Sequence, residues 1–332
     1  MIRLIFATCC LSLLTLACSK KKEEPTPLVP RTVDQDPSLP SVLINGRLLH
    51  SEAFGQAGNT LIVCLHGGPG ADYRYLLNAK DLADYGYSVV FYDQVGSGLS
   101  QRFEEQYYKK LSIEEIFVNE LRGIIAKYKT KPNQKVILLG HSWGAILATY
   151  YAGKYPKEIE GLALFEPGGL IWEDIVSYVL KSQAPCQGMA PVRGMEHSGL
   201  VSDQSDSQEL LDYQMALSAG TVNCNTGESL IEGDFWRMGA VVAAAAFEQG
   251  EKTKPDLSVG IGRFSKPVLF GYGDNKAYPD SWAQKVSSVF INKQLFKVSD
   301  VGHSGMFTNR SVWTNTTLPQ LLNYFSLLQK HW

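Results

Sequence analysis

Cysteine is scarce, with six in 332 residues, too few for a fold built around disulfides. A basic excess is also missing. Lys and Arg number 31 against 33 Asp and Glu, a formal net charge of −2. Nothing is left over to displace the counterions of a nucleic acid, which excludes a binder held by phosphate contacts. The His and acidic residues show no clustered ligand spacing, so no metal site is expected. The glycine-rich stretches at 67–70 and 96–98 lack both the Gly-Lys-Ser/Thr ending of a phosphate loop and the Gly-x-Gly-x-x-Gly order, so no nucleotide cofactor is expected either. What the chain does have is apolar mass. Hydrophobic residues make up 45% and charged residues 19%, the profile of a globular protein of one large or two small domains.

The amino terminus reads as an address. Arg3 precedes an apolar run over residues 4–17, followed by Cys18, Ser19 and three lysines. The run is at the short end for crossing a bilayer and suits a signal-peptide core. With Ala17 directly before Cys18, it resembles a bacterial lipoprotein signal, which implies cleavage after residue 17, acylation of Cys18 and a membrane anchor. An ordinary secretory signal or an uncleaved anchor remain as alternatives, and all three export the body of the protein to the cell envelope. Residues 18–40, rich in Lys, Glu, Pro, Thr, Asp and Ser, are expected to be a flexible tether, because such a composition cannot bury a core.

From residue 41 the pattern alternates. Residues 41–54 read as a hairpin turning at Asn45-Gly46. The continuous apolar run at 61–65 and the largely apolar stretches at 88–92, 136–139, 159–165, 268–272 and 295–298 read as strands, several of them buried on both faces. Helical spacing fills the intervals, and Ser112 with Glu115 forms a candidate capping box. Such alternation implies a mostly parallel sheet covered on both sides. Between about 168 and 263 the alternation stops and helical patterns take over, so this stretch is expected to be an inserted helical cap between core segments 41–167 and 264–332. Cys186 and Cys224 fall within it, as a disulfide or as two thiols; Cys64, in an apolar run, reads as a small filler.

Three motifs carry chemistry. Gly140-His141-Ser142-Trp143-Gly144 follows a strand and opens a helix, the setting in which a serine is held on a sharp turn with its hydroxyl exposed. The helix amino terminus there favours developing negative charge. His66-Gly67-Gly68-Pro69-Gly70 follows another strand. Its unobstructed backbone offers Gly68 as an oxyanion donor, with Trp143 as the second, while His66 reads as a structural hydrogen-bonder. Gly302-His303-Ser304-Gly305 follows the last strand, and His303 is the candidate base, since imidazole serves a hydroxyl nucleophile near neutral pH. For the acid, Asp274 in Gly271-Tyr272-Gly273-Asp274-Asn275 is the first choice, and Glu166, after the preceding core strand, is the alternative.

Together these motifs resemble the α/β-hydrolase fold over residues 41–332. With Asp93-Gln94-Val95-Gly96-Ser97-Gly98 they resemble the proline iminopeptidase group in particular, although that group usually carries Arg where this chain has Val95. The resemblance implies a mostly parallel central sheet flanked by helices with an inserted cap, and a cofactor-free serine hydrolase that releases amino-terminal residues from small peptides through an acyl-enzyme. It also implies an acidic cap residue for the substrate amine, for which Phe247-Glu248 makes Glu248 the candidate. A carboxylesterase or lipase on the same triad, and a catalytically silent envelope binding protein, are the competing expectations.

Overall fold

The computed structural model describes residues 28–182, 207–219 and 235–330. Eight strands form one sheet: β1 (Ser41–Ile44), β2 (Arg47–Phe54), β3 (Leu61–Leu65), β4 (Ser88–Tyr92), β5 (Val136–His141), β6 (Gly161–Phe165), β7 (Val268–Gly273) and β8 (Lys293–Val298). Their order is β1-β2-β4-β3-β5-β6-β7-β8. The β1–β2 and β2–β4 pairs are antiparallel, and every pair from β4 to β8 is parallel. The antiparallel start follows from the Asn45-Gly46 turn, where both residues take positive φ (50° and 78°), as a tight two-residue hairpin requires. β3 to β7 are buried along their whole length, which explains their unbroken apolar sequences.

Helices cover both faces. The predicted helix at 112–128 begins with the expected capping box: Ser112 N donates to Glu115 Oε2 at 2.8 Å, and Glu115 N to Ser112 Oγ at 3.2 Å. It opens with a wide turn and continues as α1 (Asn119–Tyr128). Helix α2 (Trp143–Lys154) is buried on nearly every side and packs beside β3, β5 and β6. Residues Arg74–Tyr85 form a 3-10 stretch instead of the α-helix that their spacing suggests.

The segment between β6 and β7, expected to be a cap, contributes α3 (Trp172–Ser182), α4 (Ser207–Ala219) and α5 (Ala240–Thr253) among the described residues. The chain enters and leaves it through a short antiparallel stem, with Leu257 N donating to Leu170 O at 2.8 Å and Trp172 N to Pro255 O at 3.1 Å. The core ends in α6 (Asp280–Ser287) and α7 (Leu318–Gln329).

The tether expected to run free to residue 40 does not do so over its described part. Val29, Thr32 and Val33 are buried. Val33 N donates to Leu99 O at 2.8 Å, and the Pro30 carbonyl accepts from Arg237 at 3.0 Å. Two valines in a polar stretch are enough to seat it once a groove exists. Cys18, Cys186 and Cys224 lie outside the described residues; Cys64 is buried in β3 as a free thiol.

Candidate active site

Ser142 sits between β5 and α2 with φ 54° and ψ −121°, a backbone conformation that costs a residue with a side chain about 1–3 kcal/mol. The neighbourhood imposes it. A side chain at Gly140 would meet the backbone of Gly144, and one at Gly144 would meet the Leu65 carbonyl. Only glycine at both positions lets the helix start directly against β3. Ser142 N donates to Phe165 O at 2.8 Å, anchoring the turn to β6.

The 66–70 loop lies against the serine. A methyl group built on Gly67 would stand 3.2 Å from Ser142 Cβ and 3.6 Å from its Oγ. The Gly67 amide is taken by Tyr75 Oη at 2.8 Å, which leaves Gly68 and Trp143 as the candidate oxyanion donors. Gly68 has φ 118°, open to glycine and strained for other residues. His66 has the structural role read from its sequence. Its Nε2 accepts from Gln94 N at 3.0 Å, so its Nδ1 donates to Gly67 O at 2.8 Å. Gln94 also donates to His66 O at 3.2 Å and accepts from the Trp143 indole at 2.9 Å. Asp93 holds the following turn, accepting from Leu99 N and Tyr73 N and pairing with His50 at 2.8 Å.

His303 stands over the elbow. Its ring centroid is 4.5 Å from that of His141, the residue before the serine. Its Nδ1 lies 2.6 Å from Glu166 Oε2 and 3.0 Å from Tyr178 Oη of the cap helix α3. Burial pushes the imidazole down to about 4, which keeps it neutral and able to accept a proton at ordinary pH. Glu166 is buried, at φ 45°, directly after β6. Its Oε1 accepts from Gly273 N at 2.6 Å and Asn275 Nδ2 at 2.9 Å. Burial raises this carboxyl well above its usual range, against the pull of those two donors.

The first-choice acid is therefore corrected. Asp274 is half exposed and pairs with Lys297 at 2.9 Å. Its own amide is still bonded to Val298 O, continuing the β7–β8 ladder. That register sends its side chain along the sheet toward Lys297, and the next residue, Asn275, turns inward to hold Glu166. Glu166, the alternative, is the carboxylate that meets His303. Glu248 is also not at the centre. It is 62% exposed and pairs with Lys109 at 3.1 Å, in a surface cleft that contains none of Ser142, His303 and Glu166. Tyr178 and Asn275 were not singled out from sequence. Asn275 adjoins the Asp274 motif, but nothing local marks Tyr178, whose position depends on how the cap folds back. Among the described residues no group of three His, Cys, Asp or Glu side chains is placed to hold a metal.

Solved structures that share the fold include a proline iminopeptidase of Mycobacterium smegmatis (TM-score 0.54, 18% identity, 87% of this chain and 98% of that one). A bacterial membrane phospholipase A is another (TM-score 0.59, 17% identity, 87% and 86%). The sheet order and elbow define an α/β-hydrolase fold, a mixed, mostly parallel eight-stranded sheet flanked by helices. Within that class, residues 56–236 match the family described as serine aminopeptidase, S33, and the chain belongs to it. Among curated relatives, a proline iminopeptidase of Thermoplasma volcanium is 26% identical over 77% of this chain and 87% of its own length. One from Saccharolobus solfataricus is 40% identical over 32% of this chain and 33% of its own length. Several other curated relatives are matched over only about a third to a half of their length.

Proposed function

We propose that this S33-family chain is a serine hydrolase that works through an acyl-enzyme on Ser142, with His303 as base and Glu166 as the acid behind it. Its leading substrates are short peptides or amino-acid amides from which it releases the amino-terminal residue, as its proline iminopeptidase relatives' names suggest. The observation that carries the proposal is the 2.6 Å contact between His303 Nδ1 and Glu166 Oε2, set beside a serine on a strained elbow. With Nδ1–H given to the carboxylate, Nε2 carries the lone pair that a base needs. Ser142 Oγ attacks the carbonyl carbon as its proton passes to His303. The oxyanion is met by the Gly68 and Trp143 amides. His303 then protonates the leaving amine, and water repeats the sequence to free the acid.

A carboxylesterase reading has one observation in its favour. Four of the described carboxylates between β6 and β7 already have partners: Glu248 pairs with Lys109, Asp174 with Lys285, Asp212 with Arg102 and Arg237, and Glu251 accepts from Trp172. Each would have to give up a partner to receive a substrate amine. Side-by-side assays of a proline arylamide and short- and long-chain esters decide between the readings; turnover of esters alone would reverse our preference. Ser142→Ala is expected to lose covalent labelling by a fluorophosphonate, and labelling that persists would put the nucleophile elsewhere.

Export and lipid anchoring are proposed on residues 1–18 alone. Mass spectrometry of the mature protein from its native membrane should find acyl mass on Cys18, and an unmodified or internal amino terminus would remove the anchor.

A further inference from the structure

We infer that Tyr75 and His141 are positioning residues, joined in a one-way hydrogen-bond chain that ties the oxyanion loop to the catalytic base. The inference rests on the serine-hydrolase reading above and adds two residues to it. Four groups on four separate segments lie in line. Gly67 N, after β3, is 2.8 Å from Tyr75 Oη, in the 3-10 stretch. Tyr75 Oη is 2.7 Å from His141 Nδ1, at the end of β5. His141 Nε2 is 2.8 Å from the His303 carbonyl, after β8.

Chemistry fixes the direction. A carbonyl oxygen can only accept, so His141 must carry its proton on Nε2. In a neutral imidazole Nδ1 then accepts, and the single hydrogen of Tyr75 goes to it. The phenol oxygen is left free to accept from Gly67. Every donor finds an acceptor, with none surplus. Neutrality is supported by burial, which holds His141 well below the usual imidazole range, and the neighbouring His303 acts in the same sense. Burial likewise keeps Tyr75 protonated. The Phe307 ring closes the remaining side, edge-on to His141 with centroids 5.5 Å apart.

Two consequences follow for the site. The chain removes the Gly67 amide from competition and fixes the peptide plane leading to Gly68, whose amide is the candidate donor. It also holds the backbone of His303 from the residue bonded to Ser142. Base, nucleophile and oxyanion donor are thereby referenced to one imidazole. Displacements of about 1 Å among such groups can cost about 10²-fold in rate.

The test compares Tyr75→Phe, His141→Leu and His141→Gln with the wild-type protein. The rate of fluorophosphonate labelling of Ser142 is read alongside the ¹⁵N and ¹H spectra of histidine-labelled wild type. We expect Tyr75→Phe and His141→Leu to label about 10²-fold more slowly. His141→Gln, which keeps a donor for the His303 carbonyl and an acceptor oxygen, should recover most of that loss. His141 should remain a neutral Nε2–H tautomer from pH 5 to pH 8. An Nδ1–H tautomer, titration within that range, or wild-type labelling in Tyr75→Phe would each overturn the chain. Equal losses in His141→Gln and His141→Leu would reduce it to packing and overturn the positioning role. If His141→Leu does not fold, Tyr75→Phe and the spectra decide. Absence of labelling in the wild type would defeat the hydrolase reading instead, while the tautomer would still report on the chain.

Discussion

Glu166 meets His303 because its backbone turns left-handed at φ 45° directly after β6, folding the side chain under the imidazole rather than along the strand. In the proposed mechanism, a carboxylate placed there would hold the tautomer and stabilise the charge that His303 gains. Glu166→Gln should therefore lower kcat by about 10³- to 10⁴-fold, while Asp274→Asn, which touches only the Lys297 pair, should leave it nearly unchanged. The reverse order in steady-state assays of the two variants would restore Asp274. The pH profile belongs to the same pair. A base whose value is pushed down to about 4 by burial stays deprotonated above that value and loses activity as pH falls through it. The acid limb of kcat/KM should lie below the ordinary imidazole value of about 6.5, and a limb at or above that value would show that burial does not govern His303. The motif around Ser142 was readable because its two glycines and its serine are set by contacts a few residues away. The choice of acid was not, since Asp274 and Glu166 both follow core strands and only the β7–β8 register tells them apart.

The helices between β6 and β7 are fastened to the rest of the molecule by buried carboxylates. Asp72, two residues beyond the 66–70 loop, accepts from Arg74 N at 2.9 Å, and from Trp236 N at 2.5 Å and Arg237 N at 3.0 Å on the segment leading into α5. On α4, Asp212 takes Arg102 at 3.1 Å, Arg237 at 2.8 Å and the Ala240 amide at 2.8 Å. Gly239 N donates to Gly70 O at 2.6 Å, so the entry to α5 rests on the 66–70 loop itself. Asp212→Asn would leave two nearly buried guanidinium groups without a counter-charge, and breaking a buried pair in this way costs about 3–5 kcal/mol. Chemical denaturation should show a loss of that order, with faster proteolysis within the cap. An unchanged midpoint would mean that Asp212 is not what holds α4 down. The strands of the core could be read from their apolar runs, because burial on both faces demands such runs wherever they occur. The 3-10 form of 74–85 could not, since the same periodic pattern serves either helix and the packing against β4 and the loops decides.

Across the whole molecule the near-neutral net charge of −2 conceals ionisable groups placed deep inside. Glu120 of α1 is fully buried. One oxygen accepts from Val95 N at 3.1 Å, while the other lies 3.5 Å from Arg47 Nη1 and makes no hydrogen bond. Burial pushes this carboxyl up to about 8, against the pull of Arg47 and the Val95 amide. A carboxyl raised on folding supports the fold below its unfolded value of about 4.3, and that support is lost as pH climbs through the folded value. The difference in melting temperature between Glu120→Gln and wild type should therefore shift in favour of the variant by several degrees, about 2–4 °C per kcal/mol, between pH 5 and pH 8. A flat difference would show that Glu120 is already ionised in the fold.

The sequence by itself determined what local chemistry can specify: the strands, the Asn45-Gly46 hairpin, the capping box, the elbow at Ser142 and the loop after β8 that carries His303. In each case the deciding contacts lie close along the chain or follow from the demand that an apolar run be buried. Only the tertiary structure decided which acid faces His303, that residues 29–33 are seated, that Glu248 points away from the centre, and that Tyr75 and His141 link the loops around the serine. Those outcomes depend on strand register and on segments meeting from far apart in the chain, distances over which side-chain pattern carries no signal.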